Sequence, residues 1–430
     1  MTNYLIKKSH LKGEIRIPPS KSQTLRAILF GSLGSGKTLV HNPLDSPDTL
    51  SMIRACKMTG AGIEIHSRHI EIQGVKGKIT FAEDVIDAGN SGIVLRFFTA
   101  IAGLGTFPFV ITGDESIRHQ RPMKELLQAL SQLGARYETG RGDSYAPIIL
   151  TGPLHPGVCR VNGEDSQHVS ALLIAASFVS GVTEIHVENP GEKPWVAMTL
   201  DWFDRLGIPY ENHAFAYYKV TGPTKYSGFD YTVPGDFSSA AFPIAAAIIT
   251  RSELCIKNLD MNDIQGDKFL ISIFRQMGAR IEIDASRSCI HVRKSDHLKG
   301  ITVDINQCID GITILAVLAC YAEGETIIIN AAGARDKECN RIHCIAKELR
   351  KMGADIVETP DGLRIIGSPL SGAIVHSHRD HRMAMSLVVA GLGCEGETTV
   401  TSVDCIAKTF PSFFEEFIGF GANIRITDGE

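Results

Sequence analysis

Lys351-Met352-Gly353-Ala354-Asp355-Ile356 decides the reading of this chain, because the same phrase occurs six times. Each time, an apolar helical stretch ends in glycine and runs into a short alternating strand. The earlier copies are Met58-Thr59-Gly60-Ala61-Gly62-Ile63-Glu64-Ile65, Gln132-Leu133-Gly134-Ala135-Arg136-Tyr137, Arg205-Leu206-Gly207-Ile208 and Gln276-Met277-Gly278-Ala279-Arg280-Ile281. The last is Gly419-Phe420-Gly421-Ala422-Asn423-Ile424. The glycines at 60, 134, 207, 278, 353 and 421 recur every 68–75 residues, so the chain repeats one structural unit six times. Glycine stops a helix by adopting a backbone that side chains resist, and Ile-Glu-Ile alternation reads as a half-buried strand.

Working outward from each glycine, the same order precedes it: strand, polar loop, helix, Gly/Glu-Thr turn, strand, loop, helix. The unit is βαβαβ-like and the fold class is α/β. The first loops are Pro18-Pro19-Ser20-Lys21-Ser22, Gly89-Asn90-Ser91-Gly92, Gly163-Glu164-Asp165-Ser166-Gln167, Pro234-Gly235-Asp236-Phe237-Ser238, Asp310-Gly311 and Asp380-His381-Arg382. Each is expected to open a helix with a Ser, Asp or Asn cap. The helices that follow, such as 240–250 and 312–321, are apolar nearly all round and belong at a centre. Three repeats around one helical centre make a domain, so six make two. Helix N-termini carry partial positive charge, and several aimed into one cleft would favour a polyanion.

Composition narrows the partners. With 43 Lys plus Arg against 48 Asp plus Glu, the net charge of −5 points to neither nucleic acid nor an anionic membrane. Residues 1–12 lack an apolar core, and the longest nearly apolar run, 240–249, is far short of the roughly 20 residues that span a bilayer. Ten cysteines without a Cys-x-x-Cys pair indicate neither a zinc site nor a disulfide framework. A soluble protein with reduced thiols in a cytoplasm is expected.

Gly31-Ser32-Leu33-Gly34-Ser35-Gly36-Lys37-Thr38 matches the phosphate-loop pattern letter for letter. That loop needs a strand before it and a helix after it. Here residues 22–33 read as helix and 38–41 as strand, which disfavours a nucleotide-dependent kinase. His378-Arg379-Asp380 lacks the rest of the kinase signature. His376, His378 and His381 have no accompanying cysteine or carboxylate cluster and read as a solvated loop, so no metal site is expected.

Basic residues recur at the loops: Lys21, Arg26, Arg121, Lys337, Arg341, Arg382 and Lys408. A helix starting near Lys337 would place Lys337 and Arg341 on one face with Glu338 nearby. An arginine-rich cleft holds carboxylates and phosphates bidentately, and Asp310 or Glu338 within it would serve proton transfer.

Pro19-Ser20-Lys21-Ser22 with Arg26, Gly89-Asn90-Ser91-Gly92 with Arg96, Arg121-Pro122, Ser166-Gln167, Pro234-Gly235-Asp236, Lys337-Glu338 with Arg341, Asp380-His381-Arg382 and Ala407-Lys408-Thr409-Phe410-Pro411 resemble the 5-enolpyruvylshikimate 3-phosphate synthases, in order and along the whole chain. The resemblance implies two domains, 1–18 with 234–430 and 19–233, with the active site in the cleft between them. It implies transfer of the enolpyruvyl group of phosphoenolpyruvate to the 5-hydroxyl of shikimate 3-phosphate, with loss of phosphate, in aromatic amino-acid biosynthesis. A monomer without metal or organic cofactor is implied.

By resemblance, Lys21, Asp310 and Glu338 are catalytic. Phosphoenolpyruvate falls to Lys21, Asn90, Gly92, Arg121, Gln167, Arg341, Arg382 and Lys408, and shikimate 3-phosphate to Lys21, Ser22, Arg26, Ser166, Gln167, Asp310 and Lys337. Asp165 and Glu192 stand where the family usually has serines near the substrate phosphate, and would repel it unless they face away or pair with a base such as Lys193. Ile93 replaces a common threonine, which is expected to alter sensitivity to phosphoenolpyruvate mimics such as glyphosate. The sister transferase acting on UDP-N-acetylglucosamine carries a reactive cysteine in the loop matching 114–122, and this chain has none there.

Overall fold

The computed structural model describes residues 2–428. The chain divides into two compact units, one of residues 1–18 and 234–430 and one of 19–233. Each contains three four-stranded sheets and three buried helices. In the 19–233 unit these helices are α1 (Lys21–Leu33), α2 (Gly92–Ala102) and α3 (Ser166–Ala176). In the other they are α4 (Phe237–Ile249), α5 (Ile312–Cys320) and α6 (His381–Gly393). Every residue of α2 and α5 is buried, as their unbroken apolar sequences require.

The repeat is one strand longer than its sequence pattern. In the second copy, Ile86–Asp87 pairs in parallel with Phe109–Thr112, as a crossover through α2 demands. An antiparallel hairpin of Arg136–Thr139 and Ile148–Thr151 completes the sheet. All six repeat glycines have positive φ, from 67° to 105°, so each helix ends where only glycine turns without strain.

The N-terminal segment completes sheets begun far along the chain. Lys12–Arg16 is the parallel first strand beside Glu253–Lys257, and Thr2–Lys7 lies between Glu397–Thr401 and Asn423–Asp428. In the other unit, Asp230–Thr232 supplies the first strand beside Ser35–His41. Residues 31–38 form the end of α1 and the start of that strand. Lys37 pairs with Glu71 at 2.8 Å, on a strand rather than in a helix-opening phosphate cradle.

Candidate functional site

In the 19–233 unit, the candidate residues stand at the N-termini of α1, α2 and α3. Ser20, Ser91 and Asp165 cap these helices by accepting from backbone N–H groups. Lys21 opens α1, with Nζ 3.4 Å from Asp48 Oδ2. Gly92 opens α2. A Cβ on it would lie 2.8 Å from Arg96 Nη1, 3.3 Å from Gln167 Oε1 and 3.8 Å from Arg121 Nη1. Two guanidinium groups and an amide therefore meet a helix N-terminus at one point, a geometry suited to an anion. Asn90 donates to Asp114 Oδ2 at 2.6 Å and Ser116 Oγ at 2.8 Å, tying this point to the loop that leads to Arg121.

Arg26 is enclosed further in. It donates to Thr199 Oγ1, the Ser22 carbonyl and the Trp195 carbonyl at 3.1–3.3 Å, and lies over the Phe97 ring. Burial pulls its pKa down to about 9, which leaves it charged near neutrality. Ile93 belongs to the apolar core of this unit.

In the other unit, three acids share three cations. Arg341, 1% exposed, donates from Nε to Asp380, from Nη1 to Asp310 and from Nη2 to Glu338, each at 2.7 Å. Arg382 reaches the second oxygen of Asp310 at 2.9 Å and Ser238 Oγ at 3.0 Å. Lys408 reaches the second oxygen of Glu338 at 2.6 Å. Burial alone would raise the Asp310 pKa, but Arg382, Arg341 and Lys337 outweigh it and hold this carboxyl well below the usual range. The Asp310 side chain keeps 21% of its exposure, so a ligand can reach it.

A model of the EPSP synthase (3-phosphoshikimate 1-carboxyvinyltransferase) family matches residues 5–417. The chain belongs to this family. It is 41% identical over 427 residues to the 3-phosphoshikimate 1-carboxyvinyltransferase of Chlamydia caviae, covering 99% of this chain and 95% of that protein. With the Acetivibrio thermocellus protein of the same name, identity is 41% over 419 residues, or 97% and 98% of the two chains. The solved EPSP synthase of Acinetobacter baumannii superposes with a TM-score of 0.82 at 29% identity, covering all of both chains.

This EPSP synthase family member departs from the family pattern at two acids, and the geometry gives Asp165 a counter-charge. Asp165 receives Arg96 Nη2 at 2.8 Å, so Arg96 takes the part the sequence reading gave to Lys193. Glu192 accepts from Ser166 Oγ at 2.8 Å, which turns that hydroxyl toward the acid. Three local expectations fail. The helix near Lys337 begins at Arg341 with Asn340 as its cap, and Lys337 is extended after a short turn, so the two share no helical face. Asp310 does not cap α5, whose N-terminus is Gly311 without a side-chain bond, because both of its oxygens are drawn to arginines. The histidine trio is not a solvated loop: His381 is buried in the first turn of α6, and His378 binds Glu348 at 2.9 Å.

Sequence reasoning missed Asp267, and in Asp380 it found the helix cap but not the hold on Arg341. Asp380 caps α6 through Arg382 N and holds Arg341 Nε. Asp267, 1% exposed, sits in the 266–268 turn packed against the Asn306–Gly311 turn that carries Asp310. Neither of its carboxyl oxygens has a hydrogen-bond partner among the described residues. Burial, then the charge of Asp310, raise its pKa well above the ordinary value despite Arg382 and Arg341. Such a group stabilises the fold fully below its unfolded pKa and loses that contribution as pH rises through the folded one. Asp267→Asn is therefore expected to raise the urea midpoint at pH 7, with the gap closing toward about pH 4. A lower midpoint for the variant at pH 7 would mean that Asp267 is ionised and paired.

Proposed function

We propose that this chain transfers the enolpyruvyl group of phosphoenolpyruvate to the 5-hydroxyl of shikimate 3-phosphate, in the shikimate route to aromatic amino acids. The observation that carries the reading is the sharing of cations between two acids: Asp310 between Arg341 and Arg382, and Glu338 between Arg341 and Lys408. These cations offer donors matched to a substrate bearing a carboxylate and a phosphate. As they turn to substrate, Asp310 and Glu338 lose counter-charge and become stronger bases at the moment a proton must move.

In the proposed scheme, Asp310 takes the proton of the 5-hydroxyl as its oxygen bonds to the central carbon of phosphoenolpyruvate. Glu338, protonated once Arg341 and Lys408 turn from it to the substrate, delivers that proton to the methylene carbon, giving a tetrahedral adduct. The carbon–oxygen bond to phosphate then breaks with the proton held by Asp310 passing to the departing phosphate, Glu338 takes its proton back from the methyl group, and the double bond returns. Lys21 offsets the charge that develops on the phosphate-bearing oxygen. Arg121, Gln167, Asn90 and the Gly92 backbone join Arg341, Arg382 and Lys408 in holding phosphoenolpyruvate. Ser22 and Arg26 take the shikimate carboxylate, Lys337 a ring hydroxyl, and Ser166 with Gln167 the phosphate side, where Arg96 offsets Asp165.

No step is routed through a metal or organic cofactor. We further place the protein, as a monomer, in a reducing cytoplasm, a reading its ten free cysteines support. No helix among the described residues is long and apolar enough to cross a membrane. Phosphate release from phosphoenolpyruvate plus shikimate 3-phosphate, equal with and without ATP, is the expected result. Release only with ATP would overturn the transferase reading. Release with UDP-N-acetylglucosamine but not shikimate 3-phosphate would overturn the choice of acceptor.

A further inference from the structure

The sheet formed by Lys12–Arg16, Glu253–Lys257, Cys289–Arg293 and Arg280–Asp284 buries Leu254, Ile256, Ile290 and Val292 on one face. Strand alternation sends Cys255, Cys289 and His291 to the other. Antiparallel pairing sets Cys255 directly opposite His291, while Cys289 stands two residues before His291 on the same strand. One potential ligand atom from each lies within 4.8 Å of the other two, and Cys289 Sγ is 3.6 Å from His291 Nε2. Around a tetrahedral zinc ion, with Zn–S about 2.3 Å and Zn–N about 2.0 Å, a sulfur and a nitrogen are about 3.5 Å apart. Cys289 and His291 thus already have the spacing of two ligands around one ion, with Cys255 within reach of both.

We propose that Cys255, Cys289 and His291 form a binding site for a thiolate-seeking ion such as zinc(II), held by two sulfurs and one imidazole nitrogen with the fourth position open to solvent. Softness sets the selectivity, since thiolates and imidazole favour zinc or copper(I) over magnesium or calcium. The carboxylates of the same row are committed elsewhere. Glu14, opposite Cys255, pairs with Lys257 at 2.6 Å, and Glu282, opposite His291, pairs with Arg293 at 2.9 Å. Those pairs offset the two cations that flank the thiols, and Cys255 and His291 are partly exposed, which gives an ion a way in. The site shares no residue with Asp310, Glu338 and their cations and is given no part in the transfer reaction. The 33 residues between Cys255 and Cys289 hid it from any search for short ligand motifs.

The test is anaerobic titration of the reduced, chelator-stripped full chain with cobalt(II). One cobalt per chain, with thiolate-to-metal charge transfer and tetrahedral visible bands that zinc(II) bleaches, is expected. Cys255→Ser and Cys289→Ser should each abolish the charge-transfer signature. His291→Gln should weaken binding by about 10- to 100-fold, the scale on which even outer-shell partners act. Cys405→Ser should change nothing, and phosphate-release activity in all four variants reports that they fold. Zinc-edge X-ray absorption of the unsubstituted protein should count two sulfur ligands, a readout that needs no variant. No charge-transfer band, a band surviving in the Cys255→Ser, Cys289→Ser double variant, or fewer than two sulfurs would overturn the proposal.

Discussion

Glu338→Gln is expected to lower kcat by about 10²- to 10⁴-fold, the range a positioned proton-transfer group supplies, without raising KM for phosphoenolpyruvate. Glutamine keeps the shape of the side chain but cannot shuttle a proton to carbon. The variant also removes the carboxylate that occupies Arg341 Nη2 and Lys408 Nζ at 2.7 and 2.6 Å. Those donors are then available to the anionic substrate, so binding should hold or tighten while chemistry fails. A group that only shaped the pocket would raise KM instead. A second readout is isotopic: in deuterated water, deuterium entering the methylene carbon of phosphoenolpyruvate should disappear with turnover. Near-normal kcat, or exchange that persists in the variant, would remove Glu338 from the proton-transfer role.

The repeat was legible because glycine leaves a mark no other residue makes. Six positive-φ helix stops at near-equal spacing reveal six units even where the intervening sequences share little. The closing hairpin was only half legible: the strand after each glycine was read, but its partner was not, since partners such as Ile148–Thr151 are short and carry no glycine stop. Recruitment of Thr2–Lys7, Lys12–Arg16 and Asp230–Thr232 into distant sheets leaves no local mark either, because pairing between strands is a tertiary choice. At the candidate site, residues in short motifs were found and their partners were not. Asp165 looked hostile to a phosphate because the balancing Arg96 lies 69 positions earlier in the chain. Asp310 looked like a helix cap because Asp-Gly before an apolar run usually is one, and two arginines pulled it away. Asp267 carried no motif at all, and only its burial beside Asp310 marks it.

Arg341→Leu is expected to be the most damaging single change to stability, by about 3–5 kcal/mol near neutral pH, the scale for breaking a buried ion pair from one side. One fully enclosed guanidinium holds three carboxylates, and Leu satisfies none of them. Asp310 would retain Arg382 and Glu338 would retain Lys408. Asp380, 0% exposed, would be left with its helix-capping bonds, the Cys339 thiol at 3.7 Å and the His381 ring at 3.6 Å, but no arginine. Arg341→Lys should recover little, because a single ammonium cannot reproduce a planar fork that donates in three directions. The pH dependence follows from the sign of the Asp310 shift. A carboxyl held below its ordinary pKa stabilises the fold above its unfolded value, about 3.9, and that contribution fades as pH falls through the folded one. Removing Arg341 removes part of it, so the gap between parent and variant should be full at pH 7 and narrow below about pH 4. Urea midpoints at each pH are the measurement, since a chain of two units need not unfold in a single step. Equal midpoints at pH 7 would show that Arg341 is not the keystone of this charge cluster. A gap that widened on acidification would place its stabilising effect in packing rather than in the three ion pairs.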